Sequence, residues 1–349
     1  MNIRTLRKPC ARRCCSRVFD VVIDVVRSLV IIIALLTGMA YMTWFERRAI
    51  SRLQVRIGPN RVGPAGLLQP LADALKLFFK EDVRPAMADR FLYPLAPGIS
   101  LVAALASFAV IPIGPPITIA GRQLDLIIQD MPVALLYLIG ASSLGVYGVV
   151  LGGWSSGSKY SLLGALRGGA QVVSYELVLG LALVGVVLVS GTLSISDIVL
   201  KQAQSVPFVI LQPLGFLLYF TAAIAETNRA PFDLPEAEQE LVAGYHTEYS
   251  GFRFGMYYIA EYVNVLTVSA IAATLFFGGW VGPFGLLNGL WWLLIKMTVF
   301  AFVFVWLRAT LPRLRYDQLM KLSWGVLLPL GLLNVIVTAV LVVAFSGGR

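Results

Sequence analysis

Carboxylates are concentrated between residues 226 and 248 of a chain that is otherwise basic. They are Glu226, Asp233, Glu236, Glu238, Glu240 and Glu248, and Arg229 is the only arginine or lysine among them. Crowded carboxylates oppose one another's ionisation, and burial raises their pKa values further. Some should therefore hold protons near neutral pH and titrate as a set, as a proton-coupling element would require. A solvated acidic loop without a function is the alternative.

Three further ionisable residues, Glu176, Glu261 and Lys296, fall inside apolar stretches. A charge at bilayer depth costs roughly 3 kcal/mol or more, so such residues usually serve a function and face protein or water. We therefore treat all three as candidate functional residues. A structural ion pair between Glu261 and Lys296 is the alternative.

A basic segment precedes an amphipathic helix between the first two apolar stretches. Its first arginines are Arg47, Arg48, Arg52 and Arg56. After two Gly-Pro turns, the apolar residues that repeat at helical spacing are Leu67, Leu71, Leu75 and Phe78. We expect this helix to lie in the membrane interface and to frame an opening for a lipid-soluble substrate, with Arg56 and Asp73 holding it against the preceding loop. The alternative is that the arginines bind lipid phosphates.

Cysteine and histidine are too scarce for most redox centres. The chain has three cysteines, Cys10, Cys14 and Cys15, and one histidine, His246. An iron-sulfur cluster normally needs four thiolates and a bis-His haem needs two imidazoles, so this chain can hold neither unaided. We expect free thiols in an N-terminal tail, a hydrogen-bonded structural role for His246, and no metal site.

The composition requires a membrane. Hydrophobic residues make up 58% of the 349 residues, charged residues only 13%, and the mean hydropathy is +0.80. Apolar stretches long enough to cross a bilayer as helices lie near 28–45, 92–113, 132–151, 171–190, 207–225, 255–280, 286–307 and 322–345. The sequence therefore predicts an all-α, polytopic transmembrane protein with about eight spans and one interfacial amphipathic helix. Residues 21–349 form a single transmembrane domain, and residues 1–20 form a basic tail of unclear role.

The distribution of basic residues predicts the orientation. The loops at about 46–91, 152–170, 226–254 and 308–321 hold nearly all the loop arginines and lysines, whereas the alternate loops hold only Arg122 and Lys201. The positive-inside rule places the first set in the cytoplasm. The basic tail then falls on the outer side, against the same rule. The net charge of +9 suits an anionic membrane surface and gives no reason to invoke nucleic acid.

Two long segments resemble one family, the quinone-chamber membrane subunit of respiratory complex I, which is designated H in bacteria. The segments are GLLQPLADALK at 66–76 and APFDLPEAEQEL at 230–241. Shorter matching stretches lie at 154–167, 174–176, 244–251 and 308–320, and the resemblance runs from about residue 28 to the end. Residues 1–20 do not resemble the family.

The resemblance implies a subunit of a proton-pumping NADH:quinone oxidoreductase in the inner (plasma) membrane. Quinone would be its substrate, with no covalently bound cofactor, while NADH, flavin and iron-sulfur clusters would belong to partner subunits. Its partners would be the hydrophilic quinone-site and iron-sulfur subunits and the other membrane subunits. The residues implied for the quinone tunnel are Glu46, Arg47, Arg56, Asp73, Arg229 and Phe232. Those implied for an acidic path into the membrane are Glu176, Glu226, Asp233, Glu236, Glu238, Glu240 and Glu261, and we add Lys296 as a candidate.

Two other functions remain open at this point. The similar membrane subunit of a hydrogenase or formate-hydrogen lyase complex shares the architecture, although residues 46–70 resemble the quinone-reducing branch more closely. A stand-alone ion or solute transporter would instead show broken helices in corresponding positions of two repeats, which the sequence does not display.

Overall fold

The computed structural model describes residues 9–119, 122–236, 238–282 and 288–346; for residues 9–21, 117, 119, 122–125, 238–239 and 345–346 the description covers the backbone only. The α-helices are α1 (Pro9–Leu53), α2 (Gln69–Phe79), α3 (Leu92–Phe108), α4 (Ala134–Ser155), α5 (Lys159–Ser190), α6 (Ile195–Gln204), α7 (Phe208–Leu211), α8 (Pro213–Glu226), α9 (Glu238–Leu241), α10 (Gly251–Phe277), α11 (Leu290–Thr310), α12 (Tyr316–Leu322) and α13 (Leu328–Ser346). A π-helical turn, Ser323–Leu327, joins α12 to α13.

The predicted helical transmembrane architecture is confirmed. Among the described residues, six helical segments are long and apolar enough to cross a bilayer: Val22–Leu53, Ala134–Ser155, Lys159–Ser190, Gly251–Phe277, Leu290–Thr310 and Tyr316–Ala344. Two shorter apolar helices, α3 and α8, coincide with the remaining two predicted spans.

Helix α8 is short because a proline interrupts its apolar stretch. Pro213 has no backbone N–H, and α7 and α8 meet at Gln212 instead of forming one helix. The Gln212 side chain donates to the carbonyl of Gly185 at 3.0 Å and to the Thr338 hydroxyl at 2.8 Å. These contacts tie the break to α5 and α13, so irregular backbone at this depth is enclosed in protein.

Helix α10 is the centre of the bundle. Within its most apolar window 83% of the residues are buried, against 17% for α1 at the periphery. Small residues such as Ala260, Ser269 and Ala272 are buried along α10 and permit close helix packing. Side chains on α10 can therefore contact several other helices at once.

The connection between α1 and α2 folds back as the Gly-Pro turns predict. Gly63 and Gly66 both have φ of +73°, and a Cβ on Gly66 would overlap the carbonyl of Pro59. The amphipathic helix forms as α2, and its apolar residues Leu71 and Phe78 are exposed on the surface of this chain. The face that carries Asp73 is half-buried and packs towards α1 and α10.

Two features were not predicted. A β-hairpin of β1 (Gly114–Ile119) and β2 (Arg122–Leu126) connects α3 to α4. In addition, much of the segment expected as a loop at 152–170 is helical, because α4 continues to Ser155 and α5 begins at Lys159. Helices that extend past the hydrocarbon layer keep their backbone hydrogen bonds, and hydropathy alone does not show this extension.

Candidate functional site

An ion pair connects the first helix to the amphipathic helix. Arg47 on α1 donates to Asp73 on α2 at 2.6 Å, and Gln69 donates to the same carboxylate at 3.0 Å. The sequence led us to expect Arg56 at this position, but Arg47 makes the contact with Asp73. Arg56 lies in the turn after α1, where it is exposed. Arg47, by contrast, projects from α1 towards α2, which explains its contact with Asp73.

A cavity of about 340 Å³ lies under this ion pair, between α1, α2 and α10. Arg47, Asp73 and Lys76 supply polar groups, while most of the other lining residues are apolar or aromatic, such as Phe252 and Tyr258. A mostly apolar cavity with a few polar groups is typical of a site for a small organic molecule. The cavity lies beside α2, whose residues Leu71 and Phe78 are exposed.

Two tyrosines on α10 extend the polar contacts from this cavity into the bundle. Tyr258 lies beside Arg47, and its hydroxyl is 3.0 Å from that of Tyr262, one helical turn further along. Tyr262 donates to the buried carboxylate of Glu46 at 2.6 Å. Glu46 also pairs with Arg308 from α11. A hydrogen-bonded path therefore leads from the cavity to a buried acid.

Arg229 and Glu261 form the next step of the network. The Arg229 guanidinium lies over the Tyr262 ring, 4.6 Å from its centre, and donates to Glu261 at 2.9 Å. Tyr245 also donates to Glu261, at 3.5 Å. Glu236 lies close enough to Glu261 to interact with it electrostatically.

Asp233 shows how the protein environment changes the pKa of a carboxylate in the acidic loop, which comprises residues 226–248. Burial and the neighbouring Glu236 raise the pKa of Asp233 to about 6, although Arg313 donates to it at 2.9 Å. One carboxylate oxygen, Oδ1, is buried without a hydrogen-bond partner among the described residues. The expectation that some acids of this loop hold protons near neutral pH therefore has a physical basis at Asp233.

Glu226 and Glu176 form a second acidic group. Glu226 ends α8, contacts Ser142 and faces Glu176 on α5, and Ser143 donates to Glu176. A cavity of about 50 Å³ is lined by both Glu226 and Glu261. One water needs only roughly 15 Å³, so this space can connect the two acidic groups through water.

The structure separates other candidates from this network. Glu240 is exposed and pairs with Arg167 at 2.6 Å. Phe232 is buried against Tyr175, with 5.4 Å between ring centres, and does not line the larger cavity. Lys296 donates to the carbonyls of Phe277, Gly279 and Val281 at the end of α10. The suggested Glu261–Lys296 ion pair is therefore wrong. The side chain of Glu238 lies outside the described residues.

Sequence reasoning missed Tyr258, Tyr262 and Arg308. The two tyrosines stand four residues apart on one face of α10, which was a readable signal, and Arg308 is a basic residue at the end of an apolar helix. Their role depends on which helices become neighbours of α10. Spacing along one helix does not supply that information.

Comparison with known proteins identifies the family. The profile of the family described as NADH dehydrogenase matches residues 26–339. The NADH-quinone oxidoreductase subunit designated H in Thermomicrobium roseum is 57% identical over 317 residues, covering 88% of this chain and 92% of the relative. The chain belongs to this family of NADH-quinone oxidoreductase membrane subunits. The relative designated H 2 in Geobacter sulfurreducens is 53% identical, with 91% and 96% coverage, and the relative in Deinococcus deserti is 50% identical, with 93% and 85% coverage.

As a member of this family, the chain is a multi-pass membrane subunit of an NADH-quinone oxidoreductase complex, and other subunits of that complex are its partners. Within the described part of the chain, no group of three or more His, Cys, Asp or Glu residues is arranged to hold a metal ion.

Proposed function

We propose that this membrane subunit forms the membrane wall of a quinone tunnel and couples quinone reduction to proton movement. Quinone would enter the cavity under α2 from the bilayer. The redox groups, with NADH, flavin and iron-sulfur clusters, would be held by hydrophilic partner subunits. Those partners would dock on the loops that carry the basic and acidic segments, which we place on the cytoplasmic side from their arginines and lysines.

The observation that carries this proposal is the continuous polar network from the cavity to the buried acids. It runs from Asp73 through Arg47, Tyr258 and Tyr262 to Glu46 and Arg229, and from Arg229 to Glu261. Quinone reduction changes charge and consumes protons at the headgroup. A hydrogen-bonded network of tyrosines, arginines and carboxylates can transmit such a change by shifting protons and reorienting hydroxyl groups.

The second part of the proposed path leads deeper into the membrane. Glu261, Glu236 and Asp233 would take up or release a proton first, and Glu226 would exchange it with Glu261 through the small cavity that these two residues line. Glu176, which lies near Glu226, would be the next group on the path. We keep Glu238, Glu240 and Lys296 as sequence-based candidates for this path, and Arg56 and Phe232 as candidates near the tunnel.

The substitution Tyr262→Phe tests this function. It keeps the ring under Arg229 but removes the hydroxyl that connects Tyr258 to Glu46. Hydrogen bonds to charged groups contribute roughly 1.5–3 kcal/mol, so we expect NADH:quinone turnover to fall about tenfold or more. NADH oxidation by ferricyanide, which bypasses the membrane, should persist.

Tyr147→Phe on α4 is the matched control, because that side chain is 61% exposed and lies outside the network. Normal quinone turnover and normal proton pumping in an assembled Tyr262→Phe complex would contradict the proposal.

A further inference from the structure

Helix α1 presents different residues to three environments. Met39, Thr43 and Arg47 face the cavity under α2, and Glu46 faces the interior. A third group, Trp44, Phe45, Arg48, Ala49 and Arg52, lines an open groove on the outer side of α1. Spacings of three and four residues place each group on its own face of the helix. The outer groove is thus separated from the proposed quinone cavity by the helix itself.

The outer groove has a charged end and an apolar end. Its upper part, about 710 Å³, contains Arg48 and Arg52 together with Phe302 of α11. Its lower part, about 490 Å³, shares Trp44 and Phe45 and continues between α1 and α11 to Ile31 and Leu293 with an almost entirely apolar lining. From Phe45 to Ile31 the helix rises roughly 20 Å, more than the roughly 15 Å of one hydrocarbon leaflet.

Arg48 and Arg52 can still bind an anionic ligand. Arg48 lies 5.2 Å from the centre of the Trp44 ring and donates through Nη1 to the carbonyl of Ala65 at 2.8 Å. Arg52 is exposed. Among the residues that the structure describes, no carboxylate forms an ion pair with Arg48 or Arg52. Both cations therefore remain available at the end of an apolar groove.

We propose that this groove binds an anionic phospholipid of the surrounding bilayer, with the phosphate on Arg48 and Arg52 and an acyl chain along α1 and α11. Charge complementarity selects an anionic lipid, because a quinone or a zwitterionic lipid offers the arginines no net negative charge. The site also has a structural consequence. Arg48 and Trp44 both donate to the Ala65 carbonyl, so a lipid held by Arg48 would stabilise the turn that precedes α2.

The experiment uses the whole complex in nanodiscs of phosphatidylcholine with a trace of phosphatidylglycerol that carries a photoactivatable acyl chain. Cross-linked peptides are mapped by mass spectrometry, and unlabelled phosphatidylglycerol, phosphatidylcholine or ubiquinone competes. Wild type should be labelled on α1 and α11. Phosphatidylglycerol should compete about 30-fold better than phosphatidylcholine, since each interfacial basic residue contributes roughly fivefold.

The double variant Arg48→Gln/Arg52→Gln should lose this preference. The control Arg61→Gln/Arg90→Gln removes the same charge from two exposed residues outside the groove and should keep it. Ala49→Phe, which narrows the groove without changing charge, should reduce labelling by all lipids. The proposal is overturned if the Arg48/Arg52 variant is labelled and competed like the control, or if ubiquinone competes as well as phosphatidylglycerol.

Discussion

Arg229 and Glu261 form a buried ion pair between the loop after α8 and the central helix α10, with 2.9 Å between Nη2 and Oε2. Each side chain is only 10% exposed. A pair of this kind is fixed in position because neither charge can be left alone at low cost. It therefore fixes the position of the acidic loop relative to Tyr262 and Glu46.

Substitution of Arg229 by Gln should destabilise the subunit strongly, because Glu261 loses its counter-charge in a buried position. Removal of one partner of a buried pair typically costs about 3–5 kcal/mol. The thermal unfolding of the purified complex, or its yield after membrane extraction, measures this loss. The double variant Arg229→Gln/Glu261→Gln should recover part of the stability, and a double variant no better than the single one would contradict the assignment.

The Arg47–Asp73 contact should matter for substrate more than for stability. Its side chains are 47% and 34% exposed, and exposed ion pairs contribute only about 0–1 kcal/mol. Arg47→Ala should therefore assemble normally but raise the apparent KM for quinone several-fold, measured beside ferricyanide reduction. Arg56→Ala is the comparator, because Arg56 is exposed and does not contact Asp73. A larger KM effect from Arg56 would favour the prediction made from sequence.

Asp233 should make stability depend on pH. Burial raises its pKa from 3.8 to about 6, so the folded state binds the proton more tightly than the unfolded state. The protonated side chain therefore stabilises the folded state by about 3 kcal/mol in total. This stabilisation is fully present below about pH 4 and is lost as the pH rises through 6. Thermal unfolding of wild type and Asp233→Asn between pH 4 and 7 measures it. The two curves should diverge across this window, and parallel curves would disprove the assignment.

Substitution of Lys296 can distinguish a structural role of this residue from a role in the proton path. Its ammonium group donates to three carbonyls at 2.6–2.8 Å where α10 ends. Lys296→Met leaves those acceptors without a donor, at about 1–3 kcal/mol for each one that stays unsatisfied. If the role is structural, the assembled fraction should pump the normal number of protons per NADH while its thermal stability falls. A reduced proton ratio at normal stability would support the proton path.

Removal of the charge from different carboxylates of the acidic loop should affect activity to different extents. Glu236 lies near the buried Glu261 and interacts with it electrostatically, whereas Glu240 is exposed and paired with Arg167. Glu236→Gln is expected to lower NADH:quinone turnover or the number of protons moved per NADH. Glu240→Gln should leave both near wild type, because solvent already screens that charge. Equal effects of the two substitutions would indicate that the loop acts as one titrating set, as the crowding of carboxylates first suggested.

The sequence predicted the membrane spans because hydropathy is a property of each segment alone. It also predicted α2, since Leu71 and Phe78 repeat at helical spacing whatever surrounds them. The partners in the ion pairs, by contrast, could not be predicted from single segments. Arg47 rather than Arg56 meets Asp73, and Asp233 meets Arg313, which lies 80 residues further along the chain, because helix neighbours decide which charges come together.

The hairpin between α3 and α4 and the contact between Tyr262 and Glu46 could not be predicted from the sequence either. Short strands give a weak periodic signal, and a tyrosine inside an apolar helix gives no sign of the glutamate that it will contact. Residues 226–248 were predicted as functional from their carboxylates, but only the fold shows that Asp233 and Glu236 face the bundle while Glu240 faces outward.

The central position of α10 determines how freely different parts of this chain can vary. Enlargement of Ala260 or Ala272 would force side chains into neighbouring helices, and such overpacking costs roughly 1–3 kcal/mol or more per site. Exposed apolar residues in the first half of α1, such as Val25 and Leu29, meet no such barrier because they are more than half exposed. Saturation mutagenesis should therefore find α10 intolerant of any gain in volume, whereas these positions of α1 should accept most apolar replacements.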